Sequence, residues 1–153
     1  MAFATVHHWQ DPLAGMREMR RVARRVVVFT CETTEGSWRR RFWLTRDYLP
    51  EVAASPVGLA TELAGAIGAR MEPVLVPWDC ADGFFKAYWR RPQAYLDEEV
   101  RRGISVWPAV GPDAEQRAVR SLRADITSGR WAERNHDLLD LDAAELGLRL
   151  VIA

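Results

Sequence analysis

Val26-Val27-Val28-Phe29-Thr30 is the stretch that most narrows what this chain can fold into. Three consecutive β-branched residues and an aromatic, without polar alternation, predict a strand buried on both faces, the habit of parallel sheets. The residues before it agree. Ala2–Val6 is short, apolar and bounded by polar residues, and reads as a second buried strand. Asp11-Pro12 reads as a helix start, because Asp accepts from the free amides of a first turn and Pro costs nothing at the first helical position. Leu13, Met16, Met19 and Val22 with Ala23 then recur at helical spacing, and Arg17, Arg20, Arg21 and Arg24 fill the rest. Strand, helix and strand within about thirty residues make a βαβ unit with a right-handed crossover.

Farther along, Glu35-Gly36-Ser37 breaks the chain, and an aromatic, Arg-rich helical stretch is expected from Trp38 to Val52. Leu59 to Ala69 reads as a small-residue helix. Met71 to Pro77 reads as a strand whose two prolines suit a sheet edge. Asp82 to Gly103 is expected to be helical and split at Pro92. Pro112 to Gly129 reads as a helix ending at a glycine cap, and Leu148 to Ile152 as a final strand. The expectation is one α/β domain over residues 1–153, with inserts at about 34–56 and 79–110.

With 21 basic and 21 acidic residues, the chain lacks the charge excess of a nucleic-acid-binding surface. No segment reaches the ~18 consecutive apolar residues of a membrane span. Cys31 and Cys80 lie far apart without metal-like spacing, which predicts no metal site and an intracellular, cytoplasmic protein.

The run His7-His8-Trp9-Gln10-Asp11-Pro12, then Met16-Arg17-Glu18-Met19-Arg20-Arg21-Val22-Ala23-Arg24 and Val26–Thr30, resembles the fourth strand, fourth helix and fifth strand of class I S-adenosylmethionine-dependent methyltransferases. The branch with the methyltransferase type 11 domain is the nearest. Trp78-Asp79-Cys80-Ala81-Asp82-Gly83-Phe84 through Tyr88-Trp89-Arg90-Arg91-Pro92 to Tyr95-Leu96 is also similar to that group. The resemblance covers the whole chain but only the carboxy-terminal half of the family's fold. It implies a partial, truncated Rossmann-like sheet with strands equivalent to 4-5-7-6, the last antiparallel, and the inserts as a substrate lid.

The family's glycine-rich loop, its ribose-binding acidic residue and its third strand have no counterpart in this sequence. Gly65-Ala66-Ile67-Gly68 lacks the G-x-G spacing and no strand precedes it, so it reads as close helix packing. The strand at Ala2–Val6 would form a bare apolar edge, which invites pairing with a second copy or with an N-terminal half.

Ligands of open α/β sheets sit at the carboxyl ends of the strands, which singles out the loop from Thr5 to Trp9. His7 or His8 suits a base or an acceptor-orienting group, since imidazole titrates near neutrality. The plainer alternative is a histidine bonded to backbone beside a packed Trp9. The resemblance carries contact with the methionine end of S-adenosylmethionine to Ala4 and Thr5, with His8 joined to them and His7 as the catalytic candidate. The implied cofactor is S-adenosylmethionine, and the missing loop leaves room for weak or absent binding by this chain alone. Trp38, Phe42, Trp43, Phe84, Tyr88 and Trp89 are the candidates for an apolar substrate pocket, set against the alternative that aromatics at helical spacing are core. The expected activity is methyl transfer to a small molecule. The competing reading is a non-catalytic ligand-binding or assembly module that has lost the cofactor half.

Overall fold

The computed structural model describes residues 1–32, 42–52 and 58–153, except the side chain of His7. Four strands form one open sheet: β1 (Ala2–Phe3), β2 (Val27–Cys31), β3 (Arg70–Pro77) and β4 (Ala143–Ile152). Their spatial order is β1-β2-β4-β3. β1 runs parallel to β2, and β4 runs antiparallel to β2. β3, which carries Pro73 and Pro77, lies at one end of the order, where a missing N–H costs no ladder bond. The chain divides into two compact units, one of residues 1–32, 58–75 and 147–153 and one of residues 42–52 and 76–146.

In the first unit the register separates two faces. Ala2, Val28 and Val151 are partners across three strands, and all three are buried. They pack with Val6, Met16, Val26, Leu63 and Ala64 from the 3-10 turn Val6–His8, from α1 (Pro12–Val22), from β2's leading edge and from α2 (Leu59–Ala66). Burying each large side chain of this set contributes about 1.5–3 kcal/mol. Phe3, Phe29 and Leu150 form the next row and point the other way. Phe3 is 60% exposed and stacks on Phe29 at 4.5 Å between ring centres.

β1 is shorter than the expected Ala2–Val6. The Ala4 amide still donates to the Phe29 carbonyl at 2.9 Å. Ala4 then takes φ +49, in the left-handed region, and turns the chain out of the sheet. Val6 re-enters the core from the 3-10 turn that follows. β4 begins earlier than expected, at Ala143. Gly147 within it has φ +78, an angle that a side chain would strain. Its carbonyl accepts from the Glu32 amide at 2.7 Å, beyond the last ladder pair Cys31–Leu148.

The second unit is built from short, irregular elements around aromatic side chains. They are a π-helix (Leu44–Tyr48), a 3-10 helix (Pro92–Leu96), α3 (Glu98–Arg102), α4 (Val106–Val110), α5 (Pro112–Thr127), α6 (Arg130–Arg134) and a 3-10 turn (His136–Leu138). Trp43 is fully buried, and its ring meets those of Tyr48, Tyr95 and Trp131 edge-on at 5.9, 5.6 and 5.2 Å. Its indole N–H donates to the Trp89 carbonyl at 2.6 Å. The Trp89 indole N–H donates in turn to the Val76 carbonyl at 3.1 Å. The ammonium of Lys86, the one lysine of the chain, is buried and donates to the Leu146 carbonyl at 2.5 Å.

The expected helical stretch Asp82–Gly103 is helical only from Pro92 onward, as the 3-10 helix and α3, and these bonds hold the part before it in another form. Residues 82–91 are turns, closed by Ala87 N–H to the Phe84 carbonyl and Arg91 N–H to the Tyr88 carbonyl at 2.9 and 3.0 Å. Lys86 and Trp89 are fixed by the carbonyls of Leu146 and Val76, outside this stretch, and Tyr95 by that of Phe85 within it, not by a 3.6-residue stripe. Of the expected Trp38–Val52 helix, residues 38–41 lie outside the described residues, and the remainder is the wider π-turn.

Candidate functional site

The first candidate region is the carboxyl edge of the parallel pair β1/β2, within the first unit. Ala4, Thr5 and His8 are exposed there. The turn is closed by His8 N–H to the Thr5 carbonyl at 2.9 Å and Trp9 N–H to the Val6 carbonyl at 3.2 Å. Asp11 Oδ1 accepts from the Ala14 amide at 2.9 Å and caps α1, as its place before Pro12 predicts. The Trp9 ring lies flat on α1 at Gly15, where a Cβ would stand 2.4 Å from ring carbon Cε3. Only glycine permits that approach, so Gly15 fixes Trp9 and the end of the loop against the helix. His7 belongs to the 3-10 turn by its backbone.

A residue that the sequence reading missed ends β2 at the same edge. Glu32 is 2% exposed. Its Oε2 accepts from the Thr61 amide at 3.0 Å and from the Thr61 hydroxyl at 3.3 Å, which satisfies an otherwise open donor in the first turn of α2. Its Oε1 is buried without a hydrogen-bond partner among the described residues, an arrangement that costs free energy unless something supplies a donor. The one signal in the sequence was an acid directly after a strand without charged residues.

The second candidate region is a cavity of about 390 Å³ within the second unit. Phe42, Trp43 and Trp89 line it, together with Leu138, Leu141 and the Ala143–Leu146 stretch of β4. Arg46, Asn135, Asp137 and Glu145 supply its charged and polar groups. The π-helix presents Arg46, whose guanidinium clasps both oxygens of Asp47 at 2.7 and 2.8 Å and reaches Asn135 Oδ1 at 3.2 Å. The hydrogen bonds that Arg46 donates to Asp47, helped by the Asp47 and Asp137 charges, hold its guanidinium above its ordinary pKa. The Asn135 amide donates to the Trp131 carbonyl at 2.8 Å, so both ends of this buried side chain are used.

A polar clasp holds the far side of the π-helix. The Tyr48 hydroxyl donates to Asp125 Oδ2 at 2.8 Å and accepts from Arg134 at 2.7 Å. Arg130 donates to Asp125 Oδ1 at 2.8 Å, and Arg134 also pairs with Asp125. Burial pushes the Asp125 carboxyl up, but the bonds from Tyr48, Arg130 and Arg134 outweigh it and leave the group below its usual value. Burial, then the bond to Asp125, raises the Tyr48 phenol.

Of the expected substrate residues, Phe42, Trp43 and Trp89 meet at the cavity. Phe84 and Tyr88 instead line a separate groove with Asp82, Gly83, Glu99, Val100 and Gly103. Trp38 lies outside the described residues. Arg46, Asn135, Asp137 and Glu145 were missed, because polar residues in loops carry no periodicity. Among the described residues no cluster of three or more His, Cys, Asp or Glu could hold a metal ion, and no helix is long and apolar enough to cross a membrane.

No model of a known protein family and no curated protein matches the chain. Among solved structures it is similar to a provisionally assigned methyltransferase from an antibiotic biosynthesis pathway of Anabaena variabilis ATCC 29413, with TM-score 0.87 and 27% identity over 99% of this chain and 64% of that chain. This chain therefore spans just under two thirds of that protein's length. Its mixed α/β fold, with a four-stranded open sheet and helices, is consistent with a methyltransferase fold.

Proposed function

We propose that this chain is the carboxy-terminal portion of a class I S-adenosylmethionine-dependent methyltransferase acting on a small molecule. The observation that carries the reading is the sheet order, with the antiparallel β4 inserted between β2 and β3. That order is the one the resemblance implies for strands 4-5-7-6, and the similarity to the provisionally assigned Anabaena variabilis methyltransferase supports the reading.

The described residues fit one end of such a cofactor. The left-handed turn at Ala4 leaves the Thr5 hydroxyl and the His8 imidazole exposed at the carboxyl edge of a parallel strand pair. An exposed hydroxyl and imidazole suit the charged methionine end, not the adenine ring. When bound, the cofactor supplies an electrophilic methyl group. Ala4, Thr5 and His8 hold its methionine end. His7 orients the acceptor or takes its proton, and alignment of donor and acceptor supplies much of the rate. Phe42, Trp43 and Trp89 form an apolar acceptor pocket. The insert at about 79–110 supplies a substrate lid, with Phe84 and Tyr88 in a groove of their own. The β1 edge pairs with the amino-terminal half of the fold or with a second copy. The protein works in the cytoplasm.

Contacts at one end of a cofactor support only weak binding, with Kd near ~1 mM, or roughly −4 kcal/mol. Calorimetric titration with S-adenosylhomocysteine should give a saturable heat in that range. No heat at millimolar ligand would remove the methyltransferase reading for this chain by itself.

A further inference from the structure

We propose that the groove between residues 82–88 and α3 is a small-molecule site of its own, which takes a primary amine on an apolar body and turns away the matching carboxylate. The proposal goes beyond methyl transfer and uses none of the residues assigned to the cofactor.

The groove has a volume of about 410 Å³ and lies within the second unit. Its walls are within a ligand's reach. Phe84, Tyr88 and Val100 are each half-buried, and Asp82 is exposed. The Tyr88 ring is braced in place. The Arg91 guanidinium lies over it at 4.9 Å and the Tyr95 ring meets it edge-on at 5.5 Å. Arg91 is itself held by a bond to the Cys80 carbonyl at 2.7 Å. A Cβ at Gly83 would stand 3.2 Å from the Tyr88 hydroxyl oxygen, so the absent side chain lets that hydroxyl lie against the chain. The hydroxyl makes no hydrogen bond with any described residue, and the Phe84 ring has no aromatic or cationic partner among them. The braced ring thus offers its oxygen, and Phe84 offers its face.

Two carboxylates line the groove, and only one is matched. Glu99 accepts from Arg102 at 2.6 Å, so its charge is already shared within the protein. The Asp82 carboxylate makes no ion pair or hydrogen bond with any described residue. No cation stands among the described lining residues. An entering ammonium finds an acceptor in Asp82, a second oxygen in Tyr88 and a ring face in Phe84 that favours a cation. Val100 adds apolar surface for the rest of the molecule. An entering carboxylate meets the unmatched charge of Asp82 and finds one hydroxyl as its donor. Discrimination between partners often rests on repulsion of this kind.

The test uses the full chain labelled with 15N, titrated with phenethylamine and with 3-phenylpropionate, which share a phenylethyl body and carry opposite charges at neutral pH. The amides of Gly83, Val100 and Gly103 report occupancy. Phenethylamine should bind about fivefold more tightly than the propionate, the scale of one exposed ion pair. Asp82→Asn replaces an exposed side chain that holds nothing else, and should bring the two probes within about twofold of each other. Phe84→Leu should weaken the amine by about threefold, as loss of an exposed cation–ring contact does. An amine bound no more tightly than the propionate, a preference that survives Asp82→Asn, an amine indifferent to Phe84→Leu, or amides silent to both probes would each overturn the proposal. S-adenosylhomocysteine tests the cofactor edge through other residues, so either reading can fail while the other stands.

Discussion

The two units are held together by different chemistry. The first has an aliphatic core, with Val6, Val26, Val28 and Val151 closed over by Met16 and Leu63 from two helices. Its hydrogen bonds are mostly the ladders and helix bonds that the backbone must make anyway. The second has an aromatic core. Its order comes from side-chain donors that reach distant carbonyls: Trp43 to Trp89, Trp89 to Val76, Lys86 to Leu146, and Tyr95 to Phe85 at 2.6 Å. An aliphatic core tolerates reshuffling of volume, whereas each such donor fixes one position and leaves an open group if it is removed. The candidate pocket lies in the second kind of structure, where geometry is specified residue by residue.

The largest test of this contrast compares one truncation in each unit. Trp43→Ala removes the ring at the centre of the aromatic cluster and strands the Trp89 carbonyl. It should cost about 4 kcal/mol, near the top of the range for core aromatics. Met16→Ala removes a side chain whose neighbours are apolar and able to relax, and should cost about 3 kcal/mol. Urea denaturation of both variants decides the matter. A Trp43 variant less damaged than the Met16 variant would break the contrast.

A smaller effect sharpens it. Gly15→Ala would stabilise an ordinary helix by roughly 0.5–1 kcal/mol. Here the new methyl falls inside the Trp9 ring, so the change should destabilise by about 1–3 kcal/mol, as overpacking does. The Trp9 indole signal should shift, and the amides of Thr5 and His8 with it. A stabilised variant with unmoved signals would show that the ring does not fix the loop.

The smallest effect is one of pH. The Asp125 carboxyl is lowered in the folded protein, so the clasp contributes fully above the ordinary carboxylate range. That contribution is lost as pH falls below about 4 and through the lowered value. Tyr48→Phe should cost about 1 kcal/mol at neutral pH and flatten the acid limb of the stability profile. An unchanged acid limb would mean that the Tyr48 bond does not hold Asp125 down.

The same contrast explains what was legible in the sequence. β2 and α1 were readable because Val26–Thr30 is an unbroken β-branched and aromatic run, the Leu13-Met16-Met19 stripe follows the helical period, and Asp11-Pro12 marks the helix start. The early end of β1 was not readable, because the left-handed angle at Ala4 falls on a residue that rarely takes it. In the second unit, periodicity pointed to a helix over Asp82–Gly103. Before Pro92, the donors of Lys86 and Trp89 overrode it with bonds to Leu146 and Val76, outside the stretch, which no local pattern records. α4 and α6 are five residues each, too short for a periodic signal. Aromatic composition did point to Phe42, Trp43 and Trp89 at the cavity, but not to the Arg46, Asn135 and Asp137 groups that give it polarity.

The central claim is that the loop ending β1 is a cofactor edge. The most direct measurement is a 1H–15N titration of the chain with S-adenosylhomocysteine. The account predicts saturable shifts concentrated at the amides of Ala4, Thr5 and His8, with the α5 amides unmoved. No shift at those three amides at millimolar ligand, or shifts confined to the second unit, would contradict it.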